Sequence, residues 1–197
     1  YKEITPAGFG IAIKQKEVLF SDQSEFQKVE IIDTDSSLGK ILTLDGLMMT
    51  TEGDEQFYHE MIAHIPMMNH KCPKSVLVIG GGDGGTVREV LKHDTVESVV
   101  LCEIDGMVID ACKKYLPTIA GKLDDPKVEI RVEDAIEYIK TKENEFDIVL
   151  IDSTDPMGPG EGLFTEEFYT NVKKSLKKGG IVSAQSESPV VNKEEIK

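Results

Sequence analysis

No run of apolar residues in the 197-residue sequence approaches the ~20 that a membrane-spanning helix requires. No secretory signal is visible, although a first residue of Tyr1 makes that weak ground. Basic residues are scarce: 22 lysines and arginines face 36 aspartates and glutamates, for a net charge of −14. Such a balance argues against nucleic acid, whose affinity rests on basic residues neutralising phosphates. It also disfavours an anionic membrane surface and suits a small cationic partner, though solubility alone would explain the same charge. Cys72, Cys102 and Cys112 are odd in number and lack CxxC or metal-ligand spacing. His59, His64, His70 and His93 form no zinc pattern with them, so no metal is expected. A reduced, cytoplasmic setting fits this cysteine usage. Repeats and low-complexity segments are absent. What remains, at 40% hydrophobic residues, is an ordinary globular chain of one large domain, or a small one joined to a medium one.

The first 52 residues differ in texture from the rest. Phe9–Phe20 and Phe26–Asp33 are rich in β-branched and aromatic residues and read as strands. The turn signals Ser36-Ser37-Leu38-Gly39 and Asp45-Gly46 separate two more strand-like runs, Lys40–Leu44 and Leu47–Thr51. A small antiparallel β domain over 1–52 is expected, followed by a second domain over 53–197. From Asp54 the period changes, with Phe57, Met61, Ile62 and Ile65 forming a helical stripe and Pro66 a kink or stop. Beyond Ser75, strands are expected at 76–79, 98–103, 128–132, 147–152 and 181–185. Helices are expected between them at 85–93, 106–115, 134–142 and 165–177. This alternation implies an α/β fold with a parallel sheet. The last residues, Glu194–Lys197, read as the start of another helix, so the sheet is expected to be left incomplete, as in a truncated chain.

The stretch that organises all this is Ser75–Arg88. Val76–Ile79 is a buried-strand run, and it feeds directly into Gly80-Gly81-Gly82-Asp83-Gly84-Gly85 and a helix from Thr86. Strand, glycine turn and helix open a doubly wound sheet, whose ligands bind at the carboxyl ends of the strands. Gly80, Gly82 and Gly85 satisfy G-x-G-x-x-G, and Glu103 ends the second strand, where an acidic residue binds ribose hydroxyls. That pattern serves NAD and S-adenosyl compounds alike. Asp83 separates them, because a carboxylate repels a pyrophosphate but attracts a sulfonium ligand with an ammonium tail; a helix-capping Asp is the plainer alternative. Glu133-Asp134-Ala135 offers an adenine contact or, equally, a helix cap at Asp134. Ile151-Asp152-Ser153-Thr154-Asp155-Pro156-Met157-Gly158-Pro159-Gly160 follows the fourth strand, and its two carboxylates point toward the crevice of Asp83. Three carboxylates on one pocket are costly unless a cation neutralises them. Tyr58 would cover that pocket with an apolar wall and polar tip, and His59 would be a neutral hydrogen-bonding partner or simply a surface histidine.

V-L-V-I-G-G-G-D-G-G, L-C-E-I-D, D-S-T-D-P-M-G-P and D-E-Q-F-Y-H-E-M resemble the spermidine synthases, the polyamine aminopropyltransferases, and four separate motifs in the right order make the likeness specific. The likeness runs from the β-rich start to A-Q-S-E-S-P near the end. It implies a Rossmann-like, methyltransferase-type sheet behind the small β domain, and a homodimer or homotetramer. It also implies aminopropyl transfer from decarboxylated S-adenosylmethionine, a co-substrate rather than a cofactor, to putrescine, giving spermidine and methylthioadenosine. By motif, Asp152 resembles the proton acceptor and Asp83 the carboxylate that holds the aminopropyl ammonium. Asp155, His59 and Tyr58 resemble the diamine site, with Gln185 near the amine. Gln27, Gly80, Gly82, Glu103, Asp134, Ala135 and Pro159 resemble the nucleoside-binding positions. The same scaffold leaves room for an S-adenosylmethionine-dependent putrescine methyltransferase or a non-catalytic polyamine-binding fragment, and an NAD dehydrogenase stands further off.

Overall fold

The computed structural model describes residues 1–4, 10–154 and 158–186, with the side chains of residues 158 and 159 outside that description. The first part of the chain forms two antiparallel units. β1 (Lys2–Ile4) pairs with β2 (Gly10–Ala12). β3 (Gln15–Gln23), β4 (Lys28–Thr34), β5 (Lys40–Leu44) and β6 (Leu47–Thr51) form a four-stranded meander. The expected single strand up to Phe20 is thus two strands, and Phe9 lies outside the described residues. Asp45-Gly46 makes the tight turn between β5 and β6, with both residues at positive φ.

α1 (Glu55–Asn69) leads into the parallel sheet and continues through Pro66, which does not stop it. Of the stripe that revealed this helix, only Ile62 is on the buried face. Phe57, Met61 and Ile65 are exposed, while His59, Ile62, Ala63, Pro66 and Met67 are buried. Then follow β7 (Ser75–Gly80), α2 (Gly85–Val90), β8 (Ser98–Glu103), α3 (Gly106–Tyr115), α4 (Pro117–Ala120) and β9 (Val128–Val132). α5 (Ala135–Lys140), β10 (Phe146–Asp152), a 3₁₀ turn over Gly158–Phe164, α6 (Glu166–Ser175) and β11 (Leu176–Ala184) complete the order. The helix expected from Glu194 lies outside the described residues.

The five parallel strands run β11-β10-β7-β8-β9. Sequence order reverses between β7 and β10, and such switch points open a crevice at the carboxyl ends of the strands. There Asp152 pairs with Gly80, the last residues of their strands. β7 is buried on both faces: Val76 and Val78 join one core, Leu77 and Ile79 the other. The first core also takes Val29 and Ile31 of β4 and Leu42 and Leu44 of β5, so the small sheet packs beside the mouth of the large one.

The amino end of the sheet is tied by one carboxylate. Asp147 Oδ2 accepts from the backbone N–H groups of Lys74 (3.0 Å) and Ser75 (2.9 Å), from Ser75 Oγ (3.0 Å) and from Lys177 Nζ (3.2 Å). Burial opposes its ionisation, but these donors prevail and bring its pKa down to about 2. A depressed carboxylate adds stability that is present above its unfolded pKa and is lost as pH falls through its folded one. The shift corresponds to about 2 kcal/mol. Asp147→Asn is therefore expected to lose about that much at pH 7 in urea unfolding, and the gap is expected to close as pH falls below 4.

Candidate active site

The crevice is a cleft of about 780 Å³, walled on one side by β6 residues Met48–Thr51 and on the other by the strand ends of the parallel sheet. Of the residues singled out from the sequence, it is lined by Gln27, Tyr58, His59, Gly80, Gly82, Asp83, Glu103, Asp134, Ala135, Asp152 and Gln185. Asp155 lies outside the described residues, as does the side chain of Pro159.

The glycine loop serves the protein's own side chains as much as any ligand. A Cβ on Gly81 (φ +68°) would come within 2.8 Å of the Asp152 carboxylate, and one on Gly82 within 2.9 Å of Glu103. One on Gly85 would lie 2.3 Å from the His59 ring. Three charged groups from three different elements thus occupy space that any other residue would fill.

At one end of the cleft, a nitrogen of His59 and a carboxylate oxygen from each of Asp83 and Asp152 lie within 4.8 Å of one another. Asp152 accepts from the Tyr58 hydroxyl at 2.7 Å and from the Thr86 hydroxyl at 2.6 Å. Asp83 accepts from the Gly85 N–H at 2.8 Å, so it does steady the start of α2, and it also faces His59 Nε2 at 3.4 Å.

His59 is neither at the surface nor neutral. Only 2% of it is exposed. Burial disfavours its charge, yet Asp83, together with Glu55 on Nδ1, holds its pKa up at about 10. The ring is an imidazolium between two carboxylates, and it is the cation that an acidic pocket of this kind needs. It parts the two aspartates. Asp83, buried but paired with His59, stays below the usual carboxylate range. Asp152 is raised by burial and by Asp83, with His59 and the two hydroxyls opposing. Burial also raises the Tyr58 phenol, and the Asp152 charge raises it further, so it remains a donor. These three side chains could hold a metal ion only after His59 gave up its proton.

The other end of the cleft carries hydrogen-bonding groups in a row. Glu103 spans the glycine loop and the next turn, accepting from Gly82 N–H (3.2 Å) and Asp105 N–H (2.9 Å). Burial lifts its pKa to about 7 despite these donors. Gln27 reaches across from the small sheet and donates to Asp105 at 3.1 Å. Asp134 caps α5 through the Ile136 N–H at 2.8 Å and lines the cleft as well. At the Asp152 end, the backbone N–H of Gln185 pairs with the Ile151 carbonyl at 2.9 Å, which places Gln185 beside β10.

Thr86, Glu55 and Arg88 escaped the sequence reading. Arg88 and Glu55 pair at 2.8 Å behind His59. Glu55 stands four residues before His59 on the same helix, a spacing that would have paired them. Thr86 opens α2 directly under Asp152, a position with no signal outside three dimensions.

A doubly wound sheet with an acidic cleft at its switch point places the chain in the class of α/β folds that carry their sites at the carboxyl ends of the strands. Comparison with known proteins narrows this. The spermine/spermidine synthase domain matches residues 55–197, and the spermidine synthase tetramerisation domain matches residues 1–52. The chain belongs to the spermine/spermidine synthase family. A polyamine aminopropyltransferase of Thermoanaerobacter sp. (strain X514) is 56% identical over 91% of this chain and 65% of its own length. That of Bacillus subtilis (strain 168) is 48% identical over 96% and 68%. A crystal structure of a spermidine synthase in complex with the transition state analogue AdoDATO superposes with a TM-score of 0.95 at 49% identity, covering 98% of this chain and 66% of that one. The spermidine synthase from Thermotoga maritima follows at 0.91 and 46%, covering 98% and 65%. The chain spans about two thirds of the length of these relatives.

A carboxylate whose folded pKa is raised contributes stability below its unfolded pKa and loses it as pH rises to the folded value. For Glu103 that window is 4.5 to about 7. Urea unfolding of the ligand-free chain is expected to show a fall of roughly 2–3 kcal/mol from this group between pH 5 and pH 8. Glu103→Gln is expected to remove that slope.

Proposed function

We propose that the chain transfers an aminopropyl group from decarboxylated S-adenosylmethionine to putrescine, giving spermidine and methylthioadenosine. The observation that carries the reading is the pairing of Asp83 with Asp152, two carboxylates driven to opposite sides of the normal range in one cleft. Divergent neighbours of this kind divide roles: one keeps its charge and holds a cation, the other takes a proton. The relatives that bear the names polyamine aminopropyltransferase and spermidine synthase, one of them bound to AdoDATO, support the same assignment.

In this reading Glu103 and Gln27 hold the donor's ribose side, Asp134 and Ala135 flank the base, and Asp83 takes the aminopropyl ammonium. Gly80 and Gly82 let the backbone approach the donor, and Pro159 belongs to the same subsite. Tyr58, His59, Asp155 and Gln185 form the amine subsite. The nucleophile is a primary amine of pKa ~10, so about one molecule in ~10³ is uncharged at neutral pH. Freeing it costs roughly 4–5 kcal/mol. Its lone pair attacks the propyl carbon bonded to sulfur, the C–S bond breaks, and the electron pair leaves with sulfur as a neutral thioether. The departing N–H proton goes to Asp152, whose raised proton affinity suits a base acting near neutral pH. The sulfonium already activates the carbon, so the chemistry calls for no metal or resident cofactor. A cytoplasmic homo-oligomer belongs to the proposal, in keeping with the tetramerisation domain matched at 1–52.

Asp83 also selects the donor. Ordinary S-adenosylmethionine carries a carboxylate near it, and two like charges ~4 Å apart at an effective dielectric of ~20 repel by about 4 kcal/mol, roughly a thousandfold. Asp83→Asn is expected to shrink that preference in calorimetric titrations of the two donors; an unchanged ratio contradicts the electrostatic account. Asp152→Asn is expected to lower kcat by about 10²–10⁴ while methylthioadenosine still binds. The deciding assay incubates the chain with a set of diamines and either decarboxylated donor or S-adenosylmethionine, and weighs the products. Added aminopropyl supports the proposal. Added methyl from S-adenosylmethionine supports the methyltransferase reading, and binding with no product supports a non-catalytic polyamine binder.

A further inference from the structure

Part of the buried charge system has no task in the transfer just described. Arg88 does not line the cleft. Its guanidinium donates to Glu55 Oε2 at 2.8 Å, to Glu89 Oε1 at 2.9 Å and to the Thr118 carbonyl at 3.0 Å. Glu55 Oε2 is shared, because the same oxygen meets His59 Nδ1. Glu89 is fully buried, is also bridged by Lys92, and faces His64 Nε2 at 3.1 Å. The result is an ionic seam between α1, which carries Tyr58 and His59, and α2, which begins at the loop of Asp83 and contains Thr86.

We propose that Glu55 and Arg88 are a positioning pair that holds His59 as a doubly donating imidazolium between Asp83 and Asp152 and fixes α1 against α2. The proposal rests on the reading that Asp152 accepts the amine proton. The groups facing His59 are Glu55 and Tyr58 from α1, Asp83 from the glycine loop and Asp152 from β10, with Arg88 of α2 one step behind Glu55. Burial favours the neutral ring, so its charge depends on carboxylates at both nitrogens. Without Glu55 only one nitrogen keeps such a partner, and the ring tips toward neutral. Asp152 then loses the cation that opposes Asp83, and its proton affinity rises further. Arg88 holds the same Glu55 oxygen that His59 meets, and its bonds to Glu89 and the Thr118 carbonyl fix where that carboxylate stands. Its planar fork reaches three acceptors at once, which a lysine cannot do.

The test follows the His59 ring by nitrogen NMR in the 197-residue chain, assigned against His59→Gln, beside the pH profile of kcat. The wild-type ring is expected to remain doubly protonated at pH 8, and to be neutral there in Glu55→Gln. In that variant the acid limb of kcat is expected to move up by about one unit, so the rate drops severalfold at pH 7 and recovers at pH 9. Arg88→Met leaves Glu55 on the ring, so it is expected to keep the ring protonated and to lower kcat by misplacing it, with Arg88→Lys between Arg88→Met and wild type; methylthioadenosine binding is expected to be unchanged in all three. A wild-type ring that titrates at its ordinary pKa overturns the proposal, whether or not the variants fold. So does a rate loss in Glu55→Gln that is the same at every pH. A chain that transfers no aminopropyl group refutes the function proposed above, while the His59 titration still decides the role of Glu55 and Arg88.

Discussion

Two carboxylates that share a cleft repel each other, and burial makes that repulsion worse because little water is left to screen it. Asp83 and Asp152 are in that position, and the chain answers with His59, an imidazolium held in place by Glu55. Everything around the cleft follows from keeping that cation there. α1 must approach the start of α2 closely enough for the ring to touch Gly85, which is why a side chain at that position would collide with it. Arg88 must stand behind Glu55, or the added carboxylate would deepen the problem it solves. Charge balance, more than shape alone, sets the packing of this corner of the molecule.

The sheet supplies the rigidity. Gly80 and Asp152 end adjacent strands in register, so the loop that carries Asp83 and the carboxylate of Asp152 start from neighbouring points on a buried framework. Side chains built on strand ends hold their geometry better than ones placed on free loops. Glu103 at the end of β8 continues the row, and Asp105 draws the small sheet in through Ser24 and Gln27 at 2.7 and 3.1 Å. The small sheet is therefore a wall of the cleft as well as a neighbour of the core. The cost is visible in the titrating groups: Glu103 and Asp152 are both held where ionisation is unfavourable, and both line the cleft. Sites that bind or react commonly carry such local instability.

Much of this was readable before any coordinates. Val76–Ile79 followed by six residues of which five are glycine admits little besides a buried strand and a tight turn into a helix, and β7 and α2 lie there. Spacing alone placed Glu103 and Asp152 at strand ends. What could not be read depended on three dimensions. The apolar stripe of Phe57, Met61 and Ile65 shows helical period, but period does not say which face is covered, and here the covered face holds His59. The charge on His59 comes from Asp83, 24 positions away in sequence, so no local pattern announces it. α4 is a single turn, too short for periodicity to detect. β11 already begins at Leu176, inside the helix expected to run through 177, and passes 177–180 with an irregular register and Gly179 at φ +87°.

The central claim is that the cleft gathers a positively charged reactant by means of its aspartates. It is tested most directly by calorimetry with methylthioadenosine already bound, comparing putrescine with 1,4-butanediol, which has the same length and hydrogen-bonding ends without the charge. The account predicts that putrescine binds, that its affinity weakens as salt rises, and that the diol does not bind measurably. Equal binding of the two would contradict it.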